Sequence, residues 1–107
     1  MFGPYDINFN RRENSWVDEY NLLFIDAPLG TGFSIPVDNS KIPNNIDENA
    51  DQLVITLESF YTVHEAYRSA PLYIFGQGHG AQLAAALAVK LSQNEVASNL
   101  RGVVLGN

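Results

Sequence analysis

Cysteine is absent from the 107-residue sequence, which excludes disulfides, thiolate metal sites and a cysteine nucleophile within it. Cationic side chains are scarce, because six Lys and Arg stand against twelve Asp and Glu, for a net charge of −6. A basic surface is what attracts nucleic acids and anionic membranes, so we expect neither as a partner. The sequence also lacks an apolar run near the ~20 residues of a membrane span. No signal peptide or glycosylation sequon is recognisable either.

The length fits one small domain, which we place over residues 1–107. An apolar content of 46% with 17% charged residues is typical of a globular domain. The only two histidines, His64 and His79, are too far apart in the sequence to form a recognisable metal-binding spacing. We therefore expect neither a metal nor a cofactor.

Three short apolar runs predict strands, and they lie at Asn21–Ile25, Pro71–Phe75 and Arg101–Leu105. The first of them suits a strand that is covered on both faces, as in a parallel sheet. Residues 27–36 contain two prolines and two glycines and are predicted to form a loop. Upstream, Tyr5–Ile7 and Ser15–Val17 are candidates for short antiparallel strands.

Two segments between these runs predict helices. Apolar residues at helical spacing indicate a helix over residues 45–67, with Asn44 or Asn45 as its N-cap and acidic residues in its first turn. Residues 81–92 are rich in alanine and leucine and favour a second helix. The alternation of strand and helix predicts an α/β fold, with a mostly parallel sheet and flanking helices.

A glycine-rich turn connects the second predicted strand to the second helix. Its sequence is Gly76-Gln77-Gly78-His79-Gly80. The motif G-x-S-x-G places a nucleophilic serine on such a sharp strand-to-helix turn, and here glycine stands at the serine position. Glycine has no Oγ, so covalent acyl-enzyme chemistry has no attacking atom.

Two other interpretations of this turn remain open from the residues alone. It could be a generic glycine-rich connection of an α/β fold. It could also bind an anion, since a helix N-terminus preceded by glycines attracts negative charge. The absence of a following Lys-Ser/Thr pair and of the G-x-G-x-x-G spacing speaks against a phosphate site.

The flanking segments resemble the serine carboxypeptidase family, a branch of the α/β-hydrolases. Gly3-Pro4-Tyr5, Ser15-Trp16, the stretch from Asn21 through Ser34, Leu72–Gly76 and Asn99–Asn107 occur in the order that the family shows. The likeness covers nearly the whole chain. It implies a partial α/β-hydrolase fold and, for the family, serine-type release of C-terminal residues from peptides.

The departures from the family pattern concern the residues of the reaction. Where the family has Gly-Glu-Ser-Tyr, this sequence has Gly76, Gln77, Gly78 and His79, so Gly78 takes the nucleophile position. The resemblance assigns Gln77 to a glutamate that pairs with a second glutamate to hold the substrate carboxylate. The backbone N–H of His79 would be one oxyanion donor. The family's catalytic Asp and His and its oxyanion loop fall outside this sequence.

Other residues receive structural interpretations. Pro28, Gly30, Thr31, Gly32 and Phe33 form, by resemblance, a loop that borders the substrate cleft. Asp26 is expected to hold the turn before that loop. The His79 side chain is expected to fill the family's tyrosine position, His64 to be packed or half-exposed, and Trp16 to be buried.

Three hypotheses for function follow. The first is a non-catalytic serine carboxypeptidase homologue that binds a peptide, a protein or no specific partner. The second is a piece of a longer carboxypeptidase-like protein, and the third is an anion- or ligand-binding α/β module. The resemblance suggests a vacuolar, lysosomal or secreted location. So few strands leave an exposed sheet edge and an incompletely covered face, which predicts marginal stability or self-association.

Overall fold

The computed structural model describes residues 3–107, which contain two α-helices and two β-strands. Helix α1 spans Ile46–Val63, strand β1 Leu72–Gln77, helix α2 His79–Ser92 and strand β2 Leu100–Gly106. Single 3₁₀ turns lie at Trp16–Asp18, Asn39–Lys41 and Glu65–Tyr67. None of the helices in this range is long and apolar enough to cross a membrane.

Helix α1 begins where the sequence predicts it. The Asn45 side chain accepts a hydrogen bond from the backbone N–H of Glu48 at 2.8 Å, and the Glu48 carboxylate accepts one from the backbone N–H of Asn44 at 2.8 Å. The first bond satisfies an N–H that the first turn leaves without an intrahelical partner, and the second holds the residue that precedes the N-cap. The helix ends earlier than predicted, because His64 leaves the helical conformation. This break lets the ring of Tyr67 turn back to 5.8 Å from that of Phe60.

Strands β1 and β2 form a parallel pair connected by α2, which confirms the predicted α/β architecture. In the register of the pair, Ile74 lies beside Val103 and Phe75 beside Val104. A parallel connection of this kind requires a crossover, and α2 supplies it. The sheet within residues 3–107 contains these two strands only.

Two predicted strands and part of a third are wrong. Residues 21–25 have no regular hydrogen bonding, and the ring of Phe24 is exposed, so this run is not a strand covered on both faces. Ser15–Val17 instead enters a 3₁₀ turn, because the Asp18 carboxylate accepts the Ser15 N–H at 2.9 Å. Of Tyr5–Ile7, only Tyr5 forms an antiparallel bridge, with Arg11.

The core lies between the two helices and one face of the sheet. Its buried members are Leu57 and Tyr61 of α1, Leu87 and Leu91 of α2, and Ala97. Leu72 and Ile74 of β1 pack against it from the sheet. Apolar side chains at helical spacing on α1 and at alternate positions on β1 thus meet in one cluster.

Neither α1 nor α2 covers the opposite face of the sheet, where the ring of Trp16 packs on Phe75 at 5.0 Å. Tyr73, Phe75 and Val104 point to this side and are 55%, 52% and 48% exposed. We call these three residues the open sheet face. Parallel sheets usually have both faces buried, so this arrangement departs from the norm.

An ion-pair cluster joins the two helices. The Lys90 ammonium of α2 lies 2.7 Å from a carboxylate oxygen of Asp51 and 2.9 Å from one of Asp47, both in α1. The hydrogen bonds that the ammonium donates, chiefly to Asp51 and next to Asp47, raise the pKa of Lys90 above its ordinary value of 10.5. Both carboxylates are open to solvent, so screening limits the strength of the cluster.

This cluster predicts a loss of stability in alkali. A raised folded-state pKa gives a contribution that is complete below the unfolded pKa and is lost as the pH rises through the folded value. The free energy of unfolding should therefore fall more for the wild type than for Lys90→Met between about pH 9 and about pH 11.5. Urea unfolding at both pH values measures the difference. Lys41→Met is the control and should follow the wild type; equal losses in all three proteins would contradict the prediction.

Asn99 joins three parts of the core at the amino end of the sheet. Its buried side-chain amide donates to the hydroxyl of Tyr61 at 3.1 Å and to the backbone carbonyl of Ala70. The backbone carbonyl of Asn99 accepts the N–H of Leu72, the first residue of β1. One residue thereby fixes the end of α1 and the entry into β1 relative to β2.

Removing this amide should destabilise the fold. Asn99→Ala leaves a buried hydroxyl and a carbonyl without their donor, and we expect it to lower the free energy of unfolding by about 1–3 kcal/mol. Tyr61→Phe removes one of the bonds and should cost about 1 kcal/mol. The neighbouring exposed Ser98→Ala is the control and should change stability by less than about 0.5 kcal/mol. Equal urea midpoints for Asn99→Ala and Ser98→Ala would disprove the role.

Candidate functional site: the strand-to-helix turn

One residue, Gly78, makes the turn between β1 and α2. Strand β1 ends at Gln77 and the helix begins at His79. Gly78 has φ = 58° and ψ = −126°, in the positive-φ region that side-chain-bearing L-residues rarely adopt. A chain that passes from strand to helix through one residue requires such a conformation, and glycine adopts it without strain.

The two flanking glycines serve different purposes. A Cβ at Gly76 would overlap the backbone carbonyl of Gly80 and come within 2.8 Å of the Cα of Ala81, so the absence of a side chain lets α2 pack directly on β1. At Gly78 and at Gly80, a Cβ would meet nothing within 4 Å. Close packing therefore explains why position 76 is glycine, and the backbone conformation explains why position 78 is glycine. Neither reason requires a glycine at position 80.

Hydrogen bonds fix the turn at the carboxyl ends of the strands. The Gly78 N–H donates to the carbonyl of Gly106 in β2 at 3.2 Å, and the Gly78 carbonyl accepts the N–H of Ala81 at 3.0 Å. Gly106 was not among the residues that the sequence singled out. Its place beside the turn could have been predicted, because two parallel strands end at the same edge of a sheet and β2 ends at Gly106.

The helix N-terminus exposes His79 at the turn. The first N–H groups of a helix have no intrahelical partner, so those of His79 and Gly80 are directed outward. The His79 side chain is exposed. An anion or a developing negative charge would be favoured at this point, although one helix terminus alone does not define a site.

The loop at residues 26–34 is held by the Asp26 residue that the sequence predicted to support it. The Asp26 carboxylate accepts the backbone N–H of Phe33 at 2.8 Å, and the Asp26 carbonyl accepts the hydroxyl of Ser34 at 2.6 Å. A Cβ at Gly32 would overlap that carboxylate, and Gly32 has a φ of 53°. The structural role of Asp26 is thereby confirmed.

Within the loop, the backbone turns back on itself. The Thr31 hydroxyl donates to the Pro28 carbonyl at 2.7 Å, and Gly30 has a φ of 98°. The Ala27–Pro28 peptide bond is cis. Phe33 is 95% exposed, so the loop presents an aromatic side chain to solvent.

The loop faces α1 across a small cavity. A cavity of about 50 Å³ separates the loop from the first half of α1. It is lined by Ile25 to Leu29 and Ser34 from the loop side and by Asn49, Gln52, Leu53 and Thr56 from the helix. No residue from Gly76 to Gly80 lines this cavity. The two predicted site segments are therefore not brought together in it.

The remaining candidates lie elsewhere. His64 is exposed at the carboxyl end of α1, and its ring lies tilted against that of Phe60 at 4.9 Å between centroids. Strand β1 is six residues long, which corresponds to about 20 Å. Gly78 follows its carboxyl end, whereas His64 precedes its amino end in the chain. Trp16 is 39% exposed rather than buried, and its ring packs edge-on against Phe75 at 5.0 Å. Residues 3–107 contain no cluster of three potential metal ligands.

Comparison with known proteins identifies the fold to which this turn belongs. Residues 2–107 match the family model described as serine carboxypeptidase. The chain belongs to the serine carboxypeptidase family. The match includes the strand-to-helix turn and the loop at Asp26, so the resemblance inferred from the sequence is confirmed. No solved structure shows a significant match.

Relatives in this family are much longer than this chain. Retinoid-inducible serine carboxypeptidase of Mus musculus is 33% identical over 98% of the chain and 24% of the relative. Pheromone-processing carboxypeptidase KEX1 of Verticillium alfalfae is 37% identical, over 98% of the chain and 18% of the relative. Probable serine carboxypeptidase CPVL of Dictyostelium discoideum is 34% identical, over 98% of the chain and 23% of the relative. The chain thus spans a quarter or less of the length of these serine carboxypeptidases.

The three glycines of the turn predict three different responses to alanine. Gly76→Ala forces apart the backbones of β1 and α2 and should cost about 3 kcal/mol of unfolding free energy. Gly78→Ala places a Cβ in open space, but at a positive φ with ψ near −126° that non-glycine residues rarely adopt, and should cost about 1–3 kcal/mol. Gly80→Ala, the control within the same turn, should cost nothing, because alanine favours the helix. Urea unfolding tests the order, and a loss at Gly80 equal to that at Gly76 would refute it.

Proposed function

We propose that this chain is a non-catalytic member of the serine carboxypeptidase family, which does not cleave peptides through a serine. The observation that supports the proposal is Gly78 itself. It makes the single-residue turn between a strand and a helix, where the motif G-x-S-x-G carries its nucleophile. Without an Oγ at this position there is no atom to form an acyl-enzyme.

The surroundings of Gly78 supply little else for acyl transfer. An acyl-transfer site needs a base within hydrogen-bond reach of the nucleophile and donors directed at the oxyanion. His64 lies at the other end of β1, and the Asp26 carboxylate already accepts the Phe33 N–H. The N–H of His79 remains as the one oxyanion donor that the family resemblance assigns to this chain.

The residue beside the nucleophile position supports the same proposal. The Gln77 side chain lies over Gly106, because a Cβ built on Gly106 would meet its Cγ at 3.5 Å. By the family resemblance, a glutamate in this position pairs with a second glutamate to hold the carboxylate of the substrate at acid pH. An amide carries no titrating proton and cannot share one with a second carboxyl group. The family's mode of binding C-terminal carboxylates is therefore also changed.

We propose binding rather than turnover as the remaining role, with a peptide or protein as the bound species. The loop of Pro28, Gly30, Thr31, Gly32 and Phe33 is the part of the family pattern that would border the cleft. Its exposed Phe33 ring and its backbone, held rigid by Asp26, suit contact with a chain laid across it.

Labelling with a fluorophosphonate probe tests the absence of serine chemistry. This reagent modifies a serine hydroxyl that a neighbouring base has activated. We expect the native chain to remain unlabelled. Gly78→Ser should also remain unlabelled, because the new hydroxyl has no base beside it, although its Cβ enters open space.

The matched control is Gly80→Ser, which places a hydroxyl two residues further on, also in open space. It should be as unreactive as Gly78→Ser, and an active serine hydrolase in the same reaction shows that the probe is competent. Labelling of the native chain would overturn the proposal. Labelling of Gly78→Ser but not of Gly80→Ser would show that an activating base does reach the turn, and it would overturn the account of the surroundings.

A further inference from the structure

The cavity between the loop at residues 26–34 and α1 has polar groups on both of its walls. Its volume of about 50 Å³ exceeds the ~10–15 Å³ that one water molecule requires. The side chains of Asn49, Gln52 and Thr56 line it from α1, and Asp26 and Ser34 line it from the loop. Apolar cavities stay dry, whereas polar cavities with this much room hold water.

Asn49 supplies a buried acceptor on the α1 side. The residue is only 7% exposed. Its Nδ2 donates to the backbone carbonyl of Asn45 at 2.8 Å, which fixes the orientation of the amide. No group within residues 3–107 donates to its Oδ1. A buried carbonyl oxygen without a donor costs free energy, so this atom needs a donor from a bound molecule.

The Thr56 hydroxyl is a second acceptor on the same wall. It donates its proton to the backbone carbonyl of Gln52 at 2.8 Å. A hydroxyl oxygen can also accept hydrogen bonds. None of the residues that the structure describes donates to this oxygen, so its lone pairs are available to a molecule in the cavity.

The loop side supplies donors. Ile25, Asp26 and Ala27 line the cavity, and their backbone N–H groups donate to no acceptor within residues 3–107. The hydrogen bonds of the loop run inside it, as from Phe33 and Ser34 to Asp26. In the described part of the chain, none joins residues 25–34 to α1. Backbone N–H groups need partners, so the two walls present unpaired groups of opposite kind.

We propose that this cavity is a water-binding site that joins the loop to α1. Ordered water accepts from the backbone of the loop and donates to the Asn49 Oδ1 and the Thr56 hydroxyl oxygen. A water molecule both donates and accepts, whereas an ammonium ion would satisfy the acceptors only and an anion the donors only. The lining residues all lie within residues 25–56, so the site is complete within one stretch of the chain.

The site gives the loop a defined position. Asp26 makes the loop rigid within itself, but this rigidity alone does not hold it on the helix. The water bonds supply that attachment, and they set where the exposed Phe33 ring lies relative to α1. The inference depends neither on the catalytic state of the chain nor on the proposed peptide binding.

A high-resolution crystal structure of the full chain tests the site directly. We expect electron density for water at about 2.7–3.2 Å from the Asn49 Oδ1. Asn49→Leu replaces the amide by an apolar side chain of similar size and should lose this water. Density for other waters along α1 in the same crystal is the control that waters are visible. A wild-type structure that shows those waters but none at the Asn49 Oδ1 would overturn the inference.

A matched pair of threonines tests the site in solution, and it serves also if Asn49→Leu fails to fold. Thr56→Val keeps the shape of the side chain and removes an acceptor for the water. Thr62→Val is the control, because the Thr62 hydroxyl makes the same kind of bond, to the Glu58 carbonyl at 2.9 Å, and does not line the cavity. Both positions are exposed on α1, so the change in helix propensity cancels between them.

Urea unfolding of the two variants measures the difference. Thr56→Val should raise the equilibrium constant for unfolding about fivefold more than Thr62→Val does. In a dry cavity the new methyl group would instead be neutral or stabilising. Equal stability of the two variants, or a more stable Thr56→Val, would therefore contradict the proposal. Neither experiment bears on the fluorophosphonate labelling, so the two proposals fail separately.

Discussion

The contact on which the structure depends is that between the backbones of β1 and α2 at Gly76. Without a side chain there, the carbonyl of Gly80 and the Cα of Ala81 lie directly on the strand. This close approach directs Leu87 and Leu91 of α2 into the core, where they meet Leu57 and Tyr61 of α1. It also leaves a single residue to reverse the path of the chain. The close packing at Gly76 thus accounts for the positive φ of Gly78, two residues further along the chain.

A core on one face of a two-stranded sheet limits what the chain can bury. The side chains on the helix side are well packed, whereas those of the open sheet face remain half exposed. The described segment before α1, residues 3–45, contributes short turns and one isolated bridge, and its Trp16 ring packs on Phe75 of that face. Polar interactions stabilise this fold locally. They are the hydrogen bonds of the Asn99 amide at one end of the sheet and the ion pairs of Lys90 between the helices. They hold elements together without supplying a second layer.

The sequence predicted the regions in which local and tertiary preferences agree. The start of α1 followed from Asn45 and Glu48, and both strands of the sheet from apolar runs that end in glycine. Residues 21–25 have the same composition, but a strand also needs a neighbouring ladder, which no local pattern reports. At Ser15, a hydrogen bond to Asp18 favours a turn over an extended strand. Glycine spacing located the turn at Gly78, whereas the contact of the Asp26 loop with α1 depends on distant packing.

The glycine at position 78 has a thermodynamic consequence besides the chemical one. A serine in this backbone conformation stores strain that the rest of a protein must offset, a common conflict between stability and activity. Glycine keeps the same path of the chain and relieves that strain. A domain with one covered face has little stability in reserve, so it gains more from this relief than a fully covered one. Glycine at this position thereby also makes the fold more tolerant of destabilising substitutions elsewhere.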